Sequence, residues 1–119
     1  MDVTELDNAI NYLIENKFID DGRYAEYFVR DKLKFNKWGR IKIKYALRLK
    51  HIEEEMIDNS MSQINPDLYN EILDEIIQSK IKSIGSIKTA ANKAKLLRFA
   101  AQKGFTSSEI FSAIDRVNE

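Results

Sequence analysis

The sequence predicts an all-α protein made of tandem three-helix modules in a right-handed or elongated curved helical array, and three observations lead there. Helix breakers are few and far apart: one proline, Pro66, and four glycines, Gly22, Gly39, Gly85 and Gly104. Between them apolar residues recur at three- and four-residue spacing, and no period-two alternation is long enough for a sheet. The chain also repeats itself at a shift of 53 residues, which places Ile43, Leu47, Lys50, Ile52, Ile57 and Met61 on Leu96, Ala100, Lys103, Phe105, Ile110 and Ile114.

Leu6, Ala9, Ile10 and Leu13 outline an amphipathic first helix behind a cap at Thr4. Asp20, Asp21 and Gly22 then punctuate the chain and cap a second helix. Its aromatic residues Tyr24, Tyr27, Phe28 and Phe35 have the spacing of a core stripe rather than of a base-stacking platform. That helix ends over Asn36 to Gly39, where Trp38 is placed to pack under the turn, stacking on a base being the other role open to it. Ile41, Tyr45, Leu47 and Leu49 define a third helix, and Ile52, Met56, Ile57 and Met61 a fourth, whose acidic start from Glu53 to Glu55 suits the positive end of a helix dipole. Pro66 opens a fifth helix carried by Leu68, Ile72, Leu73, Ile76 and Ile77. A sixth runs from Ile87 to Ala101 and the last from Ser107 to Val117. Each copy of the repeat reads as a basic helix, a tight turn and a capped helix, with Lys50-His51-Ile52-Glu53 in one and Lys103-Gly104-Phe105-Thr106 in the other. The expected division is 1–17 as the last helix of a truncated first module, 18–64 as a second module and 65–119 as a third.

Composition removes most catalytic chemistry. With 119 residues, 44% of them hydrophobic, the chain suffices for one compact domain or a short array sharing a core. Cysteine is absent, which excludes disulfides and thiolate metal sites. His51 is the sole histidine, so neither a zinc site nor a nucleophile–base pair can be assembled around it. Asp20 and Asp21 are adjacent and point in different directions, unlike a general acid–base pair. No glycine-rich phosphate loop is present. The expectation is a protein with no enzyme activity, no metal, no cofactor and no small-molecule substrate. Five acidic residues among the first twenty argue against a secretory signal, and no apolar run approaches the roughly 20 residues that span a bilayer. A soluble, cytoplasmic protein without membrane contact is expected.

Net charge is zero, from 19 basic and 19 acidic side chains, yet the charges fall in blocks. Arg30 to Lys50 is basic apart from Asp31, His51 to Ser79 contains no Lys or Arg, and Lys80 to Lys103 is basic again. Lys37, Arg40, Lys44 and Arg48 share one helical face, and Lys93, Lys95 and Arg98 lie in the second basic block. Such a face can meet phosphates or an acidic protein groove, or be merely the solvated side of an amphipathic helix.

Three motifs in order resemble the RecX family. Phe18-Ile19-Asp20-Asp21 followed by Arg23-Tyr24-Ala25 is similar to the hydrophobic-Asp-Asp-x-x-aromatic-Ala signature between its first and second modules. Lys37-Trp38-Gly39-Arg40-Ile41-Lys42, then Leu47 to Ile52, resembles its second-module pattern, with His51 where the family has glycine. Leu96-Leu97-Arg98-Phe99, then Gln102 to Phe105 and Ser108-Glu109-Ile110, resembles its third-module ending. The likeness is to a Bacteroidetes-like member lacking the front of the first module. It implies a regulatory protein that lies in the groove of the RecA–DNA filament and inhibits recombinase and ATPase activity during DNA repair and the SOS response, with weak non-specific DNA contact. It also favours a binding role for the basic face. At His51 it implies a left-handed residue, a cost of about 1 kcal/mol and a local distortion. Two rivals remain open: a stand-alone helix-turn-helix-like DNA-binding module, and a scaffold whose charge blocks pair between chains.

Overall fold

The computed structural model describes residues 3–118. Its α-helices are α1 (Val3–Asp31), α2 (Arg40–Leu49), α3 (Glu54–Ser62), α4 (Pro66–Ile84), α5 (Ala90–Gln102) and α6 (Ser107–Val117), with a π-helical turn over Lys32–Asn36, and no strand occurs among the described residues. The molecule measures 73 × 23 × 20 Å. The C-terminal half of α1 packs with α2 and α3, while α4, α5 and α6 pack on one another. One buried cluster runs through both groups, from Ala25, Val29 and Leu33 through Ile43, Leu47 and Ile57 to Leu73, Ile77, Leu96 and Ile110.

Helix boundaries follow local chemistry. Asn65 caps α4 by accepting from the Asp67 and Leu68 N–H groups at 2.9 and 3.3 Å, with Pro66 in the first turn. Thr106 and Glu109 form a reciprocal capping box on α6 at 2.9 and 3.1 Å. Thr89 caps α5, so that helix starts three residues after the expected Ile87.

The C-termini of α2 and α5 carry the same cap. His51 N–H donates to the Arg48 carbonyl at 3.0 Å and Ile52 N–H to that of Leu47 at 3.2 Å. Gly104 N–H donates to the Ala101 carbonyl at 3.0 Å and Phe105 N–H to that of Ala100 at 3.3 Å. This is the paired Schellman pattern, with His51 at φ +62° and Gly104 at φ +103°. The 53-residue repeat is thus a repeat of backbone geometry. His51 adopts the left-handed conformation with both cap bonds intact, so the expected distortion is absent.

Three other expectations are corrected. The break at Asp20 to Gly22 does not occur, because α1 runs unbroken through it; one glycine and two aspartates cost only about 2 kcal/mol across so long a helix. Of the aromatic stripe, Phe28 is buried, whereas Tyr24, Tyr27 and Phe35 are exposed, Phe35 by 80%. Phe35 lies in the π-helical turn, where the changed period rotates side chains away from the α-helical core face. In α2 the buried residues are Ile43 and Leu47, and Ile41, Tyr45 and Leu49 face solvent. The side chains of Thr4, expected as a cap, and of Phe18 lie outside the described residues.

Candidate docking surface

The basic face is built on α2 and the segment leading into it. The π-helical turn closes with Lys37 in a left-handed conformation, φ +56°, and Trp38 N–H donates to the Lys32 carbonyl at 3.1 Å. Trp38 then packs edge-on against Phe28, ring centroids 6.4 Å apart, with the Lys32 and Lys42 ammonium groups 5.2 and 4.7 Å from its own centroid. It serves the turn, as the packing reading holds.

Gly39 seats the start of α2 on the second helical group. Its N–H donates to the Lys103 carbonyl at 2.7 Å, and Ile41 N–H donates to the Gly104 carbonyl at 3.1 Å. A Cβ on Gly39 would lie 2.7 Å from Phe105 N and closer still to the Gly104 carbonyl; one on Gly104 would lie 2.5 Å from Lys42 Cβ. The Lys103 ammonium reaches the Asn36 carbonyl at 3.3 Å. Beneath the seam, Tyr69 and Phe105 pack with their rings tilted by 49° and centroids 5.3 Å apart, and the Tyr69 hydroxyl accepts from the Arg40 N–H at 3.1 Å. Burial pushes that hydroxyl's pKa up, partly offset by the hydrogen bond from Arg40.

Only Arg40, Lys44 and Arg48 share the α2 face, Lys37 lying in the left-handed turn before it, and each of the four has a partner within the chain. Lys37 pairs with Glu75 at 3.2 Å, and Lys44 with Asp58 at 3.3 Å. The Arg40 guanidinium sits 4.6 Å from the centroid of the Tyr69 ring. Arg48 grips both oxygens of Glu54, the second at 3.2 Å. The Arg48 hydrogen bond holds the Glu54 carboxyl below the usual range, and the same bond raises the Arg48 pKa. These pairs are exposed and screened by solvent, so each contributes little to stability and exchanges readily for another anion. Glu54 and Asp58 of α3 with Tyr69 and Glu75 of α4 thus supply what the repulsive row of cations needs.

Lys93, Lys95 and Arg98 are exposed on α5 and have no ion-pair partner among the described residues. They are not part of the α2 row: α2 packs along α3 and α1, whereas α5 packs along α4 and α6. A third basic group was not singled out in the sequence. Lys37, Lys80 and Lys103 edge a cleft of about 340 Å³ with Ser79, Ser83 and Phe99, and Lys80 lies 4.7 Å from the Phe99 centroid. Its signal was the block of Lys80 and Lys82, but the cleft draws on three separate elements. No group of metal-binding side chains occurs among the described residues, and no described helix is long and apolar enough to cross a membrane.

Comparison with known proteins places this architecture. Residues 20–61 match the family model for the RecX second three-helix domain. The chain is 34% identical over 116 residues to Regulatory protein RecX of Clostridium tetani, covering 94% of this chain and 52% of that protein. It is 32% identical over 118 residues to Regulatory protein RecX of Clostridium beijerinckii, covering 98% and 54%. With Regulatory protein RecX of Vibrio campbellii it shares 28% over 115 residues, covering 97% and 72%. These relatives are from Clostridium and Vibrio, not from the Bacteroidetes. The chain spans about half the length of its clostridial relatives. No solved structure matches it.

Proposed function

We propose, from the match of residues 20–61 to the RecX second three-helix domain and the likeness to RecX proteins over most of the chain, that this is a RecX-family protein that binds the RecA filament on DNA and inhibits its recombinase and ATPase activity. It does so in the cytoplasm, by occupancy, making and breaking no bond and using no cofactor. The observation that supports this most directly is the α2 row with Lys37 ahead of it. Lys37, Arg40, Lys44 and Arg48 are held in register by Glu75, Tyr69, Asp58 and Glu54, drawn from α3 and α4. Cations held by weak, exposed pairs are already aligned and lose little when they trade carboxylates for those of a partner, or for phosphates. Lys93, Lys95 and Arg98 add exposed charge on α5, and any contact with DNA alone is weak and non-specific. The proposed division is 1–17 as the last helix of a truncated first module, 18–64 as a second module and 65–119 as a third, the first boundary falling within α1.

The test is RecA ATP hydrolysis on single-stranded DNA with the native chain and with Arg40→Glu, Lys44→Glu and Arg48→Glu combined. Inhibition by the native chain, steeply weakened by salt and by the triple reversal, is expected. Unchanged inhibition by the triple variant refutes the role of this row. Sequence-specific duplex binding without RecA would instead support a helix-turn-helix-like DNA-binding module.

A further inference from the structure

The outward face of α2 is unlike an ordinary solvent face. An α-helix turns about 100° per residue, so Ile41, Tyr45 and Leu49 form a single stripe centred about 180° from the direction of Ile43 and Leu47. Ile43 and Leu47 are fully buried, and the opposite stripe is 55%, 61% and 62% exposed. Apolar residues scattered singly on a surface need no explanation, but three in a row directly opposite the core do. The repeat supplies the comparison: the corresponding α5 positions are Ala94, Arg98 and Gln102, all exposed and none a large apolar residue. The fold therefore does not require an apolar stripe there.

The charges beside the stripe are arranged to leave it bare. Long Lys and Arg side chains ordinarily lay their methylenes over neighbouring apolar surface. Here Arg40, Lys44 and Arg48 on one flank are drawn aside to Tyr69, Asp58 and Glu54. On the other flank Lys42 lies 4.7 Å from the Trp38 centroid and Lys50 5.7 Å from that of Phe28. Five cations against the two carboxylates Glu54 and Asp58 give the stripe a net positive border.

We infer that Ile41, Tyr45 and Leu49 dock into a protein surface that is apolar at its centre and acidic at its rim, the complement of a stripe with basic borders. Which protein bears that surface rests on the reading above; that α2 binds it through this stripe, and not by charge alone, is the new claim. Phosphates offer nothing to Ile41 and Leu49, which sets a nucleic acid aside as the occupant. A ten-residue helix with a stripe of three exposed apolar side chains is a weak membrane anchor.

The experiment uses the full chain and RecA filaments on single-stranded DNA, with Ile41→Ser, Tyr45→Ser and Leu49→Ser combined. All three side chains are exposed, so helical signal and melting temperature are expected to hold and are measured alongside. Filament affinity is expected to drop about 30-fold or more with the salt dependence unchanged, since the lost contribution is apolar. The apolar exchange of Ile41→Leu with Leu49→Ile is expected to keep native affinity. Native affinity in the triple serine variant overturns the inference and leaves the regulator reading intact. A native chain that does not bind filaments overturns that reading, and this inference with it. Binding to phosphatidylglycerol vesicles that the serine variant alone loses, or self-association that it alone loses, would give the stripe to a membrane or to a second copy and likewise overturn the inference.

Discussion

Gly39 and Gly104 meet backbone to backbone: the peptide leading into α2 lies against the α5–α6 turn, and neither residue leaves room for a Cβ. The two glycines are 65 positions apart in sequence, yet together with the two hydrogen bonds beside them they join the helical groups. Gly39→Ala is expected to destabilise the chain by about 2 kcal/mol through overpacking, and Gly104→Ala by about 3 kcal/mol because a left-handed backbone is added to the clash. Urea titrations followed by circular dichroism measure both. Equal and negligible effects would mean that the seam is not closely packed.

His51 offers the converse. It occupies the same cap position as Gly104 but is exposed at the surface. His51→Gly is expected to raise stability by about 1 kcal/mol, relieving the left-handed cost while keeping both cap bonds. A melting temperature that falls on this substitution would contradict the backbone reading.

Tyr69→Phe removes the acceptor for the Arg40 N–H but keeps the ring under the guanidinium and against Phe105. A loss of about 1 kcal/mol is expected, together with faster amide exchange at Arg40. Tyr69→Ala is expected to cost about 3 kcal/mol or more, because it also opens the core.

The Arg48–Glu54 pair sets a pH dependence. Glu54 is depressed below its unfolded value, so its stabilising contribution is fully present above the ordinary glutamate range and is lost as pH falls through the folded value. Carboxyl carbon titration by NMR is expected to give Glu54 a midpoint below the ordinary glutamate range. Arg48→Ala is expected to return Glu54 towards the ordinary range.

Where the sequence was legible, one apolar stripe dominated. In α3 and α4, Met56 and Ile57, and Ile72, Leu73, Ile76 and Ile77, had no apolar rival on the opposite side, and all six are buried. Pro66, Asn65 and Thr106 with Glu109 mark helix starts by short-range chemistry, which a single sequence displays. In α2, Ile41, Tyr45 and Leu49 repeat at the same four-residue interval as Ile43 and Leu47, so periodicity alone could not say which set faced inward. The Gly22 break failed for another reason: a propensity cost of about 1 kcal/mol does not end a helix of 29 residues. At the basic face the cations were visible, but Glu54, Asp58, Tyr69 and Glu75 joined them only through tertiary packing. The stacked glycines carried a signal in Lys-Trp-Gly-Arg and Lys-Gly-Phe, though nothing local revealed that the two motifs touch.

The Gly39–Gly104 seam also bears on avidity. The cations of α2 and those of α5 belong to helical groups joined through that seam, so their separation is set by the fold rather than by a floppy tether. Under the proposed function, engaging one group presents the other at high effective concentration, but only to a target whose own binding points have matching spacing. A regularly repeating assembly meets that condition where an isolated subunit does not. Under the proposed function, loosening the seam is expected to weaken binding to an ordered array before it weakens contact with any single subunit.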